Sequence, residues 1–425
     1  MSKKILTTIF TIIILLNLSL ICSAEDNVGI GCEVNMPSLK VTTNNIIKDL
    51  SYNQTAVRTQ IENKIVTEFE DFVIEEFDFF NRDNTRLYGT VFLPKRAYEN
   101  IGTVNSEKYP FIMITYGTMC INRMYGLLFK NLVKRGYIVA GVDYTGQGFS
   151  DGSKPVISKD DLRLDAEYIT QDVLDFQKYL FSAGYPIDET KMGNWGASLG
   201  TVTSAILADK EHRYKAISEM GLCGKNLSKG TFPTWEQIQG KLPTTTALQI
   251  EATMAAIHDT DMITPWWQAP VDAYNAHKGP KMIMIHDRYP SFLGMLGSQK
   301  RARHYLQEVI DFFDYFLKDD KQAYRRLIAP DEYCTTVGKA FDFGKDKRNF
   351  TSSEENYINR FRNLYGMPFA YNGFGPLWNQ YVLNFLPIAS QPFKINIPLL
   401  LPWNEIWMLF EYWEPNYEKF IGVTK

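Results

Sequence analysis

The chain has 425 residues, of which 45% are hydrophobic and 22% charged, and its formal net charge is -3 at pH 7. This length is sufficient for a domain of about 250 residues together with extensions. Because the net charge is small and no basic block occurs, the composition argues against nucleic acid as a partner.

The first residues have the pattern of a secretory signal peptide. Lys3 and Lys4 precede an uncharged apolar run that ends at Ile21, and small residues follow as far as Ala24. We predict that residues 1–24 are cleaved and that the protein is secreted or periplasmic. A retained signal anchor is the less favoured alternative and the only expected route to membrane contact.

Two apolar strands are predicted next along the chain. Residues 111–115 form an apolar run followed by Tyr116-Gly117, and residues 137–143 form a second run that ends at Asp143. The second strand continues into the pattern Asp-x-x-Gly-x-Gly-x-Ser. We interpret Asp143 as structural, because an acidic residue before such a turn more often accepts backbone N–H bonds than takes part in chemistry.

The run over residues 192–200 reads Met-Gly-Asn-Trp-Gly-Ala-Ser-Leu-Gly and contains the pattern G-x-S-x-G around Ser198. In this pattern the serine occupies a turn from strand to helix so tight that the residues two before and two after it must lack side chains. A buried strand over 191–195 and a helix over 201–209 are predicted on its two sides. Since glycine-rich loops also produce this pattern by chance, the flanking elements decide its interpretation.

These elements resemble the α/β-hydrolase superfamily over residues 71–320. That superfamily commonly shows H-G-x and then G-Y-x-V-x-x-D-x-R-G-x-G-x-S before its serine turn. Two positions depart from it, since Tyr116 takes the place of the His and Thr145 that of the Arg. The resemblance implies an α/β fold with a mostly parallel central sheet and helices on both faces, a nucleophile at Ser198 and no cofactor.

Tyr116 is similar to the tyrosine of a Pro-Tyr-Gly segment in the branch that contains cocaine esterase and X-Pro dipeptidyl-peptidases. In that branch the phenol donates a hydrogen bond to the oxyanion, a donor typically worth ~3–4 kcal/mol in the transition state. The resemblance therefore implies an oxyanion hole formed by the backbone N–H of Leu199 and a donor at Tyr116, Gly117 or Thr118. The alternative is that Tyr116 is simply a buried aromatic residue at the end of a strand.

A serine nucleophile needs a base and an acid that orients the base. Residues 254–257 are predicted as an apolar strand, and the turn after them resembles the superfamily's segment G-x-x-D-x-x-x-P, which implies that Asp261 is the acid. Asp259 is the alternative if the turn is placed two residues earlier. Glu219, in the predicted strand 214–220, occupies the other acid position found in the superfamily.

The base is one of only five histidines. Residues 281–285 form a predicted apolar strand and His286 follows at once, which is the expected place for the base. The resulting order of Ser198, Asp261 and His286 is that of the α/β-hydrolase fold.

The main rival base is His304, which lies in a predicted helix over residues 299–318. The same branch ends its hydrolase domain with a W-F-D-x-x-L-K helix about two dozen residues after the histidine, and Phe313 has this spacing from His286. His258 is expected beside the acid, whereas His212 and His277 are expected to be solvated. No His, Cys or Asp cluster has metal-ligand spacing, so no metal site is predicted.

Cys32, Cys120, Cys223 and Cys334 remain after signal cleavage and permit two disulfides with three connectivities. Cys120 and Cys223 both follow strands that are predicted to end at the catalytic edge, so they are the pair that could approach. Free buried cysteines are the alternative, because a domain of this size does not need disulfides.

Three regions surround the predicted hydrolase domain. Residues 25–70 are polar and are expected to pack on the domain surface or to be partly disordered. Residues 225–250 interrupt the alternation of strands and helices and are predicted to form a short lid. Residues 321–425 are rich in aromatic residues, and we expect this extension to pack on the hydrolase domain rather than to bind a partner.

The sequence thus predicts a secreted, carboxylesterase-like serine hydrolase that cleaves an ester of a small-molecule or acyl substrate through an acyl-enzyme. A secreted X-Pro-type peptidase is the alternative within enzymes. A catalytically silent binding or adhesion protein on the same scaffold is the alternative from another class. The sequence predicts neither the acyl and leaving groups nor the oligomeric state.

Overall fold

The computed structural model describes residues 45–49, 54–61, 64–104, 106–117, 122–152, 162–197, 199–220, 239–253, 268–286, 300–329 and 336–356. All of these residues lie within the unit Val41–Lys425. The site is positioned by a single sheet and the helices on its two faces.

The strands of the described ranges are, in chain order, β1 (Asn45–Asp49), β2 (Gln54–Ile61), β3 (Lys64–Glu68), β4 (Phe72–Phe80), β5 (Arg86–Pro94), β6 (Tyr109–Thr115), β7 (Ile138–Asp143), β8 (Ile187–Ala197), β9 (Tyr214–Met220), β10 (Ala247–Thr253), β11 (Lys281–His286), β12 (Thr336–Asp342) and β13 (Lys347–Arg348). The α-helices are α1 (Lys95–Glu99), α2 (Gly126–Lys134), α3 (Leu162–Ser182), α4 (Leu199–Lys210), α5 (Gln268–Ala276), α6 (Lys300–Lys318) and α7 (Lys321–Ile328). Within the same ranges, two short 3-10 helices cover Asn122–Tyr125 and Gln239–Lys241.

The strands pair in the order β1-β2-β3-β4-β5-β7-β6-β8-β9-β10-β11-β12-β13. The six strands from β7 to β11 in this order are joined by parallel pairs. The pairs on both sides of this segment are antiparallel. Among the described strands, seven of the twelve pairs are therefore antiparallel, and the expected mostly parallel sheet is corrected to a mixed one.

The antiparallel strands β1 to β5 follow one another through short connections instead of helical crossovers. A parallel pair needs a crossover of a dozen residues or more, whereas an antiparallel pair needs only a tight turn. Strands β2, β3 and β4 follow one another with a few residues between them, so they pair as an antiparallel meander. The sheet continues across both predicted boundaries, at residue 70 through β1 to β3 and at residue 320 through β12 and β13.

Helices cover both faces of the parallel segment. In β8, a methyl group added to Gly193 would lie 2.9 Å from Phe313 of α6, whereas one added to Gly196 would lie 2.1 Å from Ser204 of α4. Side chains three residues apart in a strand point to opposite faces. Helices α4 and α6 therefore pack on opposite faces of the sheet, as an α/β fold requires.

The buried aromatic residues of the core hold the parallel strands against these helices. Trp195 of β8 is fully buried, and its ring lies 5.0 Å from that of Tyr125 in the first 3-10 helix. Phe312 and Phe313 of α6 are also fully buried. Burying a large apolar side chain contributes roughly 1.5–3 kcal/mol, so such residues are a main source of the stability of this sheet.

Helix α6 is fixed to the sheet by a buried carboxylate. Asp314 is fully buried and accepts hydrogen bonds from Arg135 Nε and Tyr137 Oη, each at 2.9 Å, and from Lys318 Nζ at 2.9 Å. Burial is the main cause that lowers the pKa of Lys318, and burial followed by the charge of Asp314 raises that of Tyr137 well above 10. The partners of Asp314 tie α6 to the connection between α2 and β7.

Within the described ranges, no helix is both long enough and apolar enough to cross a membrane.

Candidate active site

The serine turn is as short as the G-x-S-x-G pattern predicts. Strand β8 ends at Ala197 and helix α4 begins at Leu199, so Ser198 is the single residue between the two elements. Ser198 itself lies outside the described residues. The predicted strand and helix on its two sides are confirmed as β8 and α4.

The two glycines of the motif leave no space for a side chain. A Cβ atom on Gly196 would lie 2.1 Å from Ser204 Oγ and 2.6 Å from the carbonyl oxygen of Gly200. A Cβ atom on Gly200 would lie 2.3 Å from the carbonyl oxygen of Thr115. Real Cβ atoms essentially never come within 3.0 Å of such neighbours. The prediction that both positions must lack a side chain is confirmed.

Thr115, the last residue of β6, joins its strand to the serine turn. Its fully buried hydroxyl lies 2.8 Å from Ser204 Oγ and 3.0 Å from the carbonyl oxygen of Gly200, and 3.2 Å from the carbonyl oxygen of Trp195. These contacts reach the strand before Ser198 and the helix after it. They hold Gly117, two residues beyond Thr115, at the same edge of the sheet as the turn between β8 and α4.

The carboxyl ends of the parallel strands bring further predicted site residues to this edge. Strand β11 runs over Lys281–His286, which confirms the predicted strand, and His286 is its last residue. His286 pairs in register with Thr253, the last residue of β10. The backbone of His286 thus ends at the same edge as the β8–α4 turn.

The structure describes only some of the remaining residues of the predicted triad and oxyanion hole. Asp261, its alternative Asp259, and Thr118 lie outside the described residues. Leu199 is the first residue of α4, and N–H groups in the first turn of a helix have no partner within the helix. Such N–H groups can stabilise an anion that lies near the start of a helix.

The hydroxyl group of Tyr116 forms hydrogen bonds that differ from those of the predicted oxyanion role. The phenol donates a hydrogen bond to Asp143 Oδ1 at 3.3 Å and accepts one from the backbone N–H of Tyr144 at 3.0 Å. Its own N–H donates to the hydroxyl of Tyr144 at 2.8 Å, and the two rings stack with centroids 4.3 Å apart. A phenol has one hydroxyl proton to donate. Because Tyr116 donates this proton to Asp143, the phenol has no proton left for a hydrogen bond to an oxyanion.

Burial and then the nearby carboxylate of Asp143 raise the pKa of Tyr116 well above 10. The phenol therefore stays protonated throughout the range in which a serine hydrolase works. The geometry matches the alternative expectation of a buried aromatic residue at a strand end, because the side chain is fully buried.

Asp143 has the structural role that the sequence predicts. Its Oδ1 accepts the backbone N–H of Asn122 at 3.0 Å, and its Oδ2 accepts the backbone N–H of Phe149 at 3.1 Å. Ser150 Oγ donates to the Asp143 carbonyl. The carboxylate thus ties the loop after β7 to the 3-10 helix after β6.

Two buried glutamates lie on neighbouring strands beside the serine turn. Glu219, the alternative acid, is fully buried in β9 and pairs in register with Gly196. Glu251 in β10 is also buried and pairs with Met220. The sequence did not identify Glu251 because it placed this strand at residues 254–257, which lie outside the described residues. Its signal was the alternation of Leu248, Ile250 and Ala252 with polar residues.

The other histidines differ in their surroundings. His212 is exposed, as predicted, and His304 lies in α6. His277 corrects an expectation, because it is fully buried and its Nε2 lies 2.9 Å from the carbonyl oxygen of Thr246. A Cβ atom added to Gly279 would lie within 3.0 Å of both the Thr246 carbonyl oxygen and His277 Nε2. The turn at Gly279 thus brings the ring close to this carbonyl. His258 lies outside the described residues.

Among the described residues, no three His, Cys, Asp or Glu side chains are grouped so as to hold a metal ion.

Comparisons with known proteins support a hydrolase. No protein-family model matches the chain. Hydrolase acrC of Aspergillus aculeatus is 30% identical over 156 residues, which are 35% of this chain and 35% of that protein. Probable dipeptidyl-aminopeptidase B of Aspergillus terreus is 27% identical over 157 residues, which are 32% of this chain and 17% of that protein. The matches thus span about a third of the first relative and less than a fifth of the second.

A solved structure titled hypothetical protein PA2218 from Pseudomonas aeruginosa is also similar. It has 14% sequence identity and a TM-score of 0.45, and the superposition covers 58% of this chain and 95% of that one. Both relatives matched by sequence have names that denote hydrolytic enzymes, and they suggest hydrolytic activity for this chain.

Proposed function

We propose that the protein is a serine hydrolase that cleaves a carboxylic ester through an acyl-enzyme at Ser198. The observation that carries this proposal is the close approach of Gly196 to Gly200 and of Gly200 to Thr115, which makes the turn between β8 and α4 sterically possible only without side chains at these two positions. A turn of this kind exposes the serine hydroxyl above the sheet.

His286 is proposed as the base and Asp261 as the acid that orients it. In acylation, Ser198 Oγ forms a bond to the carbonyl carbon while His286 takes the hydroxyl proton and passes it to the leaving alcohol. Water then attacks the acyl group and regenerates the hydroxyl by the same route. The support for His286 is its position as the last residue of β11, at the edge where the serine turn also lies.

The oxyanion is proposed to bind the backbone N–H of Leu199 and a backbone N–H at Gly117 or Thr118. This choice departs from the resemblance, which implied the phenol of Tyr116, because that phenol donates to Asp143. The hydrogen bonds of Tyr116 and Tyr144 instead hold the end of β6 from which Gly117 follows.

A peptidase of the X-Pro type is the second candidate, and the name of the Aspergillus terreus relative favours it. Such an enzyme must bind a free α-amino group with a carboxylate. The predicted lid offers only Glu236 for this purpose, so we favour the ester. Turnover of short acyl esters with negligible turnover of X-Pro-p-nitroanilides is expected. Efficient cleavage of an anilide that Glu236→Gln abolishes would favour the peptidase.

The proposed function is tested by the hydrolysis of p-nitrophenyl acetate. We expect Ser198→Ala and His286→Ala each to lower kcat by roughly 10⁴ or more, because triad members act as a unit. His304→Ala is the matched control and should retain most of the activity. A severe loss in His304→Ala together with an active His286→Ala would show that the base is misassigned. A fully active Ser198→Ala would reject the serine hydrolase.

We also propose, from the pattern of residues 1–24 alone, that the protein is exported.

A further inference from the structure

The hydroxyl of Tyr144 binds both polar groups of the Tyr116 backbone. It accepts the N–H of Tyr116 at 2.8 Å and donates to the carbonyl oxygen of Tyr116 at 3.3 Å. One phenol can form both bonds, because it has one proton to donate and lone pairs that accept. Both tyrosines are buried, so these bonds are shielded from solvent.

The second of these bonds fixes the peptide unit that joins Tyr116 to Gly117. A trans peptide unit is planar, so its carbonyl and its N–H point in opposite directions. Because the carbonyl of Tyr116 is bonded to Tyr144, the N–H of Gly117 in the same unit points away from Tyr144. A rotation of the unit would break the bond to Tyr144 and would turn this N–H in another direction.

The order of the strands shows what lies in that direction. Strand β6 lies between β7 and β8, and Tyr144 directly follows β7. The Gly117 N–H, which points away from Tyr144, is therefore directed to the side of β8 and of the turn into α4. The start of α4 is close to this end of β6, since a Cβ atom on Gly200 would lie 2.9 Å from the backbone nitrogen of Tyr116.

Tyr144 is held in place by its backbone and its ring. Its N–H donates to the phenol oxygen of Tyr116 at 3.0 Å, and its carbonyl accepts the N–H of Gln147 at 2.8 Å. The rings of Tyr116 and Tyr144 stack with their centroids 4.3 Å apart. These contacts keep the Tyr144 hydroxyl in one position relative to the end of β6.

We propose that Tyr144 is a positioning residue that orients the Gly117 N–H as the second oxyanion donor beside the N–H of Leu199, an inference that rests on the proposed serine hydrolase function. Donors that are oriented in advance stabilise the charge of the transition state without a cost of reorganisation. The bond to the Tyr116 carbonyl also polarises the peptide unit and makes its N–H a stronger donor. Tyr144 acts through this backbone and does not touch the substrate.

The first measurement is the hydrolysis of p-nitrophenyl acetate by Tyr144→Phe, which removes only the hydroxyl. We expect kcat/KM to fall by about tenfold to a hundredfold. This is less than the ~10²–10³ that follows the complete loss of an oxyanion donor, because the Gly117 N–H is still present but no longer held.

The matched control is Tyr214→Phe, which removes another buried phenol hydroxyl. That hydroxyl donates to Gln177 at 2.6 Å, and Tyr214 is the first residue of β9, at the opposite edge of the parallel strands from the serine turn. The control should lose stability, because Gln177 loses its donor. Its kcat/KM should equal that of the wild type.

A pair of inhibitors separates the effect on the oxyanion from a general loss of structure. Ser198 Oγ adds to the carbonyl carbon of butyl trifluoromethyl ketone while His286 takes the hydroxyl proton, and the carbonyl oxygen becomes an oxyanion. The alcohol obtained by reduction of the ketone forms no such adduct. In Tyr144→Phe the inhibition constant of the ketone should rise by the factor by which kcat/KM falls, and that of the alcohol should not change. A merely structural role would not produce this difference, since inhibition constants do not depend on the fraction of folded protein.

An unchanged kcat/KM in Tyr144→Phe would overturn the proposal, as would equal changes in the inhibition constants of the ketone and the alcohol. In both cases an active wild-type protein and an inactive Ser198→Ala would retain the proposed function. A wild-type protein that neither hydrolyses the ester nor binds the ketone would reject the proposed function and this inference with it.

If Tyr144→Phe does not fold, hydrogen exchange in the wild-type protein tests the orientation of the Gly117 N–H. The ketone, but not the alcohol, should slow amide exchange in the peptide that contains Gly117, because only the ketone gives an oxyanion that accepts this N–H. Equal exchange with the two inhibitors would contradict the proposal.

Discussion

At the scale of single residues, the serine turn depends on two positions where the backbone approaches other atoms closely. The contacts of Gly200 are with the backbone of Thr115, which cannot rotate away as a side chain can. The nearest contact of Gly196 is Ser204 Oγ, but the carbonyl of Gly200 follows at 2.6 Å. A substitution at either position must therefore move the strand end or the start of α4.

We predict that Gly200→Ala lowers the stability of the protein by about 1–3 kcal/mol, the usual cost of overpacking a core. Esterase activity should fall by more than the loss of folded protein explains, because the turn that carries Ser198 shifts. Thermal unfolding and the rate with p-nitrophenyl acetate measure the two effects.

The matched control is Gly240→Ala, whose added methyl group would meet its nearest neighbour, the carbonyl oxygen of Ala276, at an ordinary 3.7 Å. It should leave both stability and rate unchanged. An active and stable Gly200→Ala would contradict the described turn.

Tyr116 and Tyr144 provide a second prediction at this scale. Tyr116→Phe removes the donor to Asp143 and the acceptor for the Tyr144 N–H, and Tyr144→Phe removes the acceptor for the Tyr116 N–H. Each variant should lose about 1–3 kcal/mol of stability, because a buried backbone N–H is left without a partner. The decline in Tm should be similar for the two variants. Thermal denaturation followed by circular dichroism measures it.

A loss of activity without a loss of stability in Tyr116→Phe would show that the phenol is an oxyanion donor. A fall in kcat of about 10²–10³ in Tyr116→Phe with an unchanged Tm is the signature of a lost oxyanion donor. Tyr144→Phe serves as the control, since its hydroxyl bonds to the backbone of Tyr116 in either case.

The residue scale also shows what the sequence could and could not predict. The glycine requirement at Gly196 and Gly200 is a local property of a tight turn, so the sequence pattern was enough. The partners of Tyr116 are Asp143, the last residue of β7, and Tyr144 just after it, and no local pattern indicates that the phenol contacts Asp143. His277 is likewise buried and bonds to the carbonyl of Thr246, which is distant in the chain.

At the scale of elements, strands with continuous apolar sequences were predicted well. Strands β6, β9 and β11 fall where the apolar runs lie, and helix α6 matches its helical spacing. Strand β10 was placed too late, because its Gln249 and Glu251 are polar residues that the fold buries. A polar residue that is buried among other elements gives no apolar signal in its own sequence.

A substitution of Asp314 tests how α6 is attached to the sheet. Asp314→Asn keeps the shape of the side chain but removes the charge that partners Arg135 and the largely buried Lys318. We expect a loss of about 2–3 kcal/mol, less than for a wholly buried pair because the Arg135 side chain is 47% exposed. Urea denaturation measures this loss.

The control for this variant is Asp319→Asn, which removes an exposed carboxylate that pairs with Lys321 at the surface. No measurable change in the urea midpoint is expected there. Equal midpoints for both variants would show that Asp314 does not anchor the helix.

At the scale of the whole molecule, the sheet is larger than the domain that the sequence outlined. Strand β12 pairs with β11 along the whole length of β11, including His286 with Thr336. Lys339 of β12 forms a buried ion pair with Glu308 of α6 at 3.3 Å. The strand that ends in the proposed base is therefore internal to the sheet, although the sequence pattern of the superfamily ended before β12.

A chain that ends at residue 320 tests this architecture, because it retains the predicted hydrolase domain but lacks β12. We expect its Tm to fall by several degrees or the protein to aggregate, because β11 becomes an exposed edge strand. Its activity should be lost along with the support of His286. A truncated protein with the Tm and rate of the full chain would show that the predicted boundary was correct and that β12 adds nothing.

The most direct test of the account is the site at which a fluorophosphonate probe reacts. The probe modifies only a serine activated as a nucleophile, and peptide mass spectrometry identifies the modified residue. The account predicts one adduct, on the peptide that contains Ser198, and no adduct in Ser198→Ala at the same protein and probe concentrations. A folded wild-type protein that does not react, or an adduct that persists in Ser198→Ala, would contradict it.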